Sequence, residues 1–109
     1  MAYDQDLAQR IKKTLAPLPG LEEKKMFGGV CFLIRGNMAC GVHGSDLIVR
    51  VGLERYPETL SQPHVKLFDI TGRPMKGWIM VASGGVTSES DLKGWVEQGV
   101  EFAATLPPK

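Results

Sequence analysis

From Lys25 to Val51 the side chains follow a period of two, interrupted twice by a pair that begins with glycine. A period of two places successive side chains on opposite faces of a strand, and tight turns between such runs predict antiparallel pairing. The sequence predicts one strand from Val30 to Arg35, a second from Met38 to His43 and a third from Asp46 to Val51. Gly36-Asn37 suits a type II′ hairpin turn, because glycine takes the positive φ required at its first position. Gly44-Ser45 is a second turn with glycine first. Two tight turns in succession predict a three-stranded meander, entered through Met26-Phe27-Gly28-Gly29.

Helical spacing brackets this meander. Leu7, Ala8, Ile11 and Leu15 form an apolar stripe over Asp4 to Leu15, which Asp4 or Asp6 can cap and Pro17-Leu18-Pro19-Gly20 stops. Leu53, Tyr56 and Leu60 predict a short middle helix if Pro57 falls within its first turn. Val65 to Ile70 and Met75 to Val81 predict two more strands, with Thr71-Gly72-Arg73-Pro74 as the link between them. Ser83-Gly84-Gly85 is expected to be a flexible joint. Ser88 and Asp91 have capping-box spacing ahead of a final helix bearing Leu92, Trp95, Val96, Gly99, Phe102, Ala103 and Leu106. The expected fold is α+β, a two-layer arrangement of one five-stranded antiparallel sheet with helices, in the order α-β-β-β-α-β-β-α. Residues 1–109 are expected to form a single domain.

Composition excludes several classes of function. Thirteen basic against twelve acidic residues leave a net charge of +1, so no broad footprint for nucleic acid is expected. Arg10, Lys12, Lys13, Lys24 and Lys25 are the cations that could form a local patch, and direct nucleic-acid binding is not expected. No apolar run approaches the roughly 20 residues of a membrane span, and the start Met1-Ala2-Tyr3-Asp4-Gln5-Asp6 is unlike a signal peptide. Two cysteines are too few for a disulfide scaffold or a cysteine-only zinc site. A cytoplasmic protein is expected.

The two turns set a register, and the register sorts side chains between faces. Leu33 is expected opposite Cys40, Cys31 opposite Val42, Cys40 opposite Val49 and Val42 opposite Leu47. One face then carries Cys31, Leu33, Met38, Cys40, Val42, Leu47, Val49 and Val51, the expected core beneath the helices. The other carries Phe32, Ile34, Ala39, Gly41, His43, Ile48 and Arg50. It is more apolar than a solvated face, which leaves two readings. Either the middle helix, a loop or sheet curvature covers it, or it is a homodimer or partner surface, with Phe32, Ile34, Ile48 and Arg50 as the interaction face.

Candidate chemistry is sparse. On this register Cys31 and Cys40 share a face diagonally, roughly 7–8 Å apart, beyond a comfortable disulfide, so reduced packing thiols are expected. His43 and His64 belong to no metal-binding or nucleophile pattern. Gly28-Gly29 lacks the Gly-Lys-Ser/Thr continuation of a phosphate loop, and Gly84-Gly85 before Thr87 and Ser88 reads better as a connection. No catalytic residue, cofactor or metal is expected. Arg50 has two readings, a solvated edge arginine or an anchor for an acidic partner. Trp78 and Trp95 are expected in the core.

The run Lys24-Lys25-Met26-Phe27-Gly28-Gly29, then Gly36-Asn37-Met38, then Leu47-Ile48-Val49-Arg50-Val51, resembles the N-terminal domain of the TfoX/Sxy family. Met75-Lys76-Gly77-Trp78 and a final helix with Leu92 and Trp95 extend the resemblance over almost the whole chain. It makes Met26, Phe27, Gly28, Gly29 and Arg50 the family motif, and it implies the same two-layer fold. Family members include bacterial regulators of natural competence that act with the cyclic-AMP receptor protein and carry a further C-terminal helical domain. For this chain the resemblance implies a stand-alone regulatory or protein-interaction module that acts through a partner, and with no catalytic constellation in its residues it is not expected to be an enzyme. The competing expectation is a small-ligand-binding protein or enzyme with a pocket near Gly28, Gly29, His43 and Arg50.

Overall fold

The computed structural model describes residues 4–16, 20–26, 29–68 and 77–107. Six strands form one sheet: β1 (Leu21–Met26), β2 (Gly29–Ile34), β3 (Asn37–His43), β4 (Asp46–Arg50), β5 (Val65–Leu67) and β6 (Trp78–Val81). Their order across the sheet is β1-β2-β3-β4-β6-β5, and each neighbouring pair is antiparallel. The helices are α1 (Gln5–Leu15), α2 (Tyr56–Leu60) and α3 (Glu89–Ala104). The α+β class holds, but the sheet has six strands and not the expected five. The additional strand, β1, has four consecutive charges and no apolar alternation to announce it. It lies at the sheet edge with Glu22, Glu23, Lys24 and Lys25 exposed, and such charges keep an open edge from pairing further.

The helices form where their caps predict. The Asp4 carboxylate accepts from the Leu7 N–H at 3.1 Å, and the Ser88 hydroxyl accepts from the Asp91 N–H at 3.1 Å. Each satisfies a backbone donor that the first helical turn leaves orphaned. Pro57 lies in the first turn of α2. α1 buries Leu7, Ile11 and Leu15, and α3 buries Leu92, Val96, Gly99 and Ala103. These pack with Val30, Phe32, Cys40, Val42, Leu47, Val49, Ile79 and Val81, while Tyr56 and Leu60 of α2 and Trp95 of α3 join the same cluster part-buried. All three helices therefore cover one face. No helix among the described residues is long and apolar enough to cross a membrane.

The register of the first hairpin departs from expectation by one residue. The turn consists of Arg35 and Gly36, both at positive φ (53° and 86°), so it is of the I′ kind and not a Gly36-Asn37 II′ turn. Asn37 is drawn into β3 because its side chain is buried and donates to the Pro107 carbonyl at 2.8 Å. Ile34 now pairs with Asn37 and Leu33 with Met38, and a bulge at Ala39 changes the offset so that Phe32 pairs with Cys40. A one-residue slip exchanges faces, and a bulge undoes it further along the strand. Phe32 and Ile34 consequently lie beneath the helices, Cys31, Leu33 and Met38 lie on the opposite face, and Cys40 and Val42 stay in the helix-side core. The second turn matches expectation, with Cys40 opposite Val49 and Val42 opposite Leu47.

The second face is also buried. Cys31, Leu33, Met38, Ile48, Phe68 and Met80 cluster there, none more than 9% exposed, with Trp78 part-buried against them. The Phe68 and Trp78 rings lie 6.0 Å apart and tilted by 48°, a favourable aromatic geometry. The middle helix does not provide the cover, since α2 packs on the helix side. Ser83–Gly85 forms a 3-10 turn, and a Cβ at Gly85 would press on both Val81 and His64, so this stretch is a packed corner. The expected link 71–74, and Ile70, Met75 and Lys76 at its flanks, lie outside the described residues.

Candidate functional site at the end of β4

Arg50 closes β4 directly opposite Trp78 on β6. Just beyond it the chain turns at Gly52 (φ 85°), where the Val51 and Gly52 N–H groups both donate to the Gly77 carbonyl, at 2.8 and 3.0 Å. A Cβ at Gly52 would collide with the Phe102 ring, so the glycine lets α3 bring that ring to the strand end. The Arg50 guanidinium carbon sits 5.0 Å from the Trp78 ring centre and 5.1 Å from that of Phe102. Both distances are within cation–π range, so both rings attract the guanidinium. Partial burial strips water from this cation and pulls its pKa below the ordinary value. Arg50 forms no ion pair with a described residue.

A cleft of about 570 Å³ adjoins this cation, lined by Gly52, Leu53, Arg55, Glu101, Phe102 and Thr105 among others. Phe102 belongs to both features. Arg55 and Glu101 approach to 3.5 Å across the rim. Leu53, on the same wall, is 68% exposed, the most exposed large apolar side chain among the described residues.

The structure disperses the other expected sites. Of the proposed interaction face, Phe32 is wholly buried beneath the helices and Ile34 packs with Ala39 and Ala103 against α3. Ile48 lies on the second face but is 1% exposed, leaving only Arg50 of the four reachable. The shifted turn is the physical reason for Phe32 and Ile34, whereas Ile48 is buried by its packing with Phe68 and Met80. The alternative pocket does not assemble either: His43 pairs with Asp46 at one end of β4 and Arg50 closes the other, roughly 13 Å away at strand rise. Gly29 lies near His43, and Gly28 is outside the described residues.

The thiols are also separated. Cys31 is on the second face and Cys40 on the helix face, so they do not share a face as expected; both are free and buried. Burial pushes Cys31 up to about 11 and Cys40, with its neighbour Cys31 adding to the effect, up to about 12. Neither is a thiolate at neutral pH, the form that attacks or binds metal. No group of three or more metal-binding side chains converges among the described residues. Two of the cations considered for nucleic acid are paired, Arg10 with Glu89 at 2.8 Å and Lys12 with Glu23 at 3.8 Å.

The sequence model of the TfoX N-terminal domain matches residues 13–103. The chain belongs to the TfoX N-terminal domain family. No curated protein and no solved structure gives a significant match. In this TfoX N-terminal domain, Gly29 of the motif is a packing requirement: a Cβ there would overlap the Val42 carbonyl on β3. Phe27 and Gly28 lie outside the described residues, as does the side chain of Met26. Arg50, the motif's cation, reaches the surface. Sequence reasoning identified it but not its companions Trp78, Phe102 and Leu53. Trp78 was within reach, because an antiparallel partner for β4 had to bring some residue of the last strand opposite Arg50. Leu53 offered no signal, since it reads as one more apolar position of the middle helix.

Proposed function

We propose that this TfoX N-terminal domain is a non-enzymatic regulatory module that binds a protein partner at the end of β4. The observation that carries the reading is Leu53, left 68% exposed on the wall of a cleft beside an oriented arginine. A lone exposed leucine is ordinary on a protein surface, but here it walls a cleft beside a cation, so one partner side chain can be buried while another is paired. Among the described residues the thiols are buried and protonated, and His43 lies at the opposite end of β4 from Arg50. Two reduced thiols also suit the reducing cytoplasm, where such a regulator would act.

The test is a photo-crosslinking residue at Leu53 in host cells, with Glu97 on the exposed side of α3 as control position. A discrete protein adduct at Leu53 that Glu97 does not give is the expected result. Equal labelling at both positions, or none at Leu53, overturns the proposal. A second reading rests on the cleft's size, which falls within the range of small-ligand sites. A metabolite that raises the melting temperature, with no protein adduct, would put that reading in its place.

A further inference from the structure

We infer that Arg50 is the anchor for an acidic side chain of the partner, an Asp or Glu whose neighbouring apolar residue enters the Leu53–Phe102 cleft. This rests on the proposed interaction function and gives the partner its chemistry. The described residues hold two half-buried cations, Arg10 and Arg50. Arg10 is accounted for by Glu89 and the Thr87 carbonyl. Arg50 has two aromatic rings on its guanidinium but no hydrogen bond or ion pair to a described residue.

A guanidinium carries five N–H donors, and none of those of Arg50 is in a hydrogen bond to a described residue, so its planar fork can take a carboxylate in a bidentate manner. No buried side-chain nitrogen or oxygen among the described residues lacks a partner. The Arg50 donors, which bond no described residue, are therefore not sealed from solvent, and a carboxylate can reach them. The two rings hold the fork in place before binding and thin the water around it, so an incoming anion meets a pre-ordered, poorly screened cation. The surrounding charges narrow the choice further. Arg55 and Glu101 offset each other, and exposed Glu54 adds a negative charge on the Leu53 side. A single carboxylate at Arg50 is accommodated, whereas an extended polyanion such as a nucleic-acid backbone would meet Glu54 and Glu101.

The test is an NMR titration of the whole chain with the peptide acetyl-Phe-Glu-Leu-amide, its Gln counterpart, sodium acetate, inorganic phosphate and a DNA duplex. The Glu peptide should move the Arg50 Nε–Hε signal and the Gly52 and Thr105 amides saturably. It should bind at least tenfold more tightly than the Gln peptide or acetate, and Arg50→Gln should remove that advantage. Leu53→Ser, at an exposed position the fold does not use, should weaken the Glu peptide several-fold without removing its preference over Gln. Equal binding of the Glu and Gln peptides, or shifts elsewhere on the molecule, overturns the inference. Tighter binding of phosphate or duplex than of the Glu peptide overturns it as well, in favour of a phosphate site. A cellular crosslink at Leu53 that persists unchanged in Arg50→Gln would sink this inference and leave the interaction function standing. Loss of the crosslink in the unmodified chain would sink the interaction function itself.

Discussion

The two faces of the sheet are both buried, but they are closed in different ways. The helix face is filled by Val, Leu, Ile and Phe side chains interlocked with α1 and α3, and its strand residues are almost wholly inaccessible. The other face relies on Cys31, Met38, Met80 and the Phe68–Trp78 pair, and several members keep a little exposure, up to 9% at Met38. Branched and aromatic side chains fix a core by shape, whereas methionine adapts to irregular gaps. The difference leaves Arg50 and Trp78 half-buried at the rim of the second face, where the proposed partner would dock.

The comparison can be broken most directly by truncation. Phe32→Ala, on the helix face, should cost about 3–5 kcal/mol, and Met38→Ala, on the second face, nearer 2 kcal/mol. Urea unfolding of the two variants measures both losses. Equal losses would mean that the faces are packed alike. Gly99→Ala probes the contact between α3 and the sheet, because a Cβ there would overlap the carbonyl of Ala39, the bulge residue. Overpacking against backbone should cost about 1–3 kcal/mol, read from the same unfolding curves. Near-UV circular dichroism should also change if α3 moves and carries Phe102 away from Arg50.

The thiols sharpen the comparison through pH. Both folded-state values lie above the ordinary 9.0, at about 11 for Cys31 and about 12 for Cys40. Between the unfolded and folded values the unfolded chain binds fewer protons, so stability is fully present below pH 9 and falls as pH rises through the folded values. For Cys40, on the helix face, the loss should approach about 1.4 kcal/mol per pH unit. Urea curves from pH 8 to 10.5 should fall for the native chain and fall less for Cys40→Ala. A thiol reagent at pH 8 should label neither cysteine until the chain unfolds.

Much of this architecture was legible in the residues, and the failures share one cause. Helix caps at Asp4 and Ser88, the Gly44 turn and the apolar stripe of α3 were readable because each uses local chemistry. The Arg35-Gly36 turn was not, because what selects it is distant: the buried Asn37 side chain held by Pro107, seventy residues along the chain. Nor could alternation correct the error. With Cys31 to Ile34 apolar at every position and buried on both faces, no polar residue marks which side is out. β1 was missed for the opposite reason, its four central residues all being charged. At the site, Arg50 was legible as an odd charge on an apolar strand, whereas Phe102 reaches it only through the tertiary approach of α3 to Gly52.

The smallest expected effect tests whether α3 owes its position to the sheet or to its own helical preference. Gly94 and Gly99 lie on the same helix, five residues apart, but Gly94 is exposed and a Cβ added there meets nothing within 4 Å. Glycine in a helix interior is destabilising relative to alanine by about 0.5–1 kcal/mol, mainly through backbone entropy in the unfolded chain. Gly94→Ala should therefore stabilise the domain by about that amount, opposite in sign to Gly99→Ala. The sites face different surroundings, so the double variant should give the sum of the two effects. A destabilising Gly94→Ala would mean that the outer side of α3 is not open to solvent in solution. A Gly99→Ala that stabilises as much as Gly94→Ala would mean that α3 yields freely, and that the close approach to Ala39 does not set where Phe102 meets Arg50.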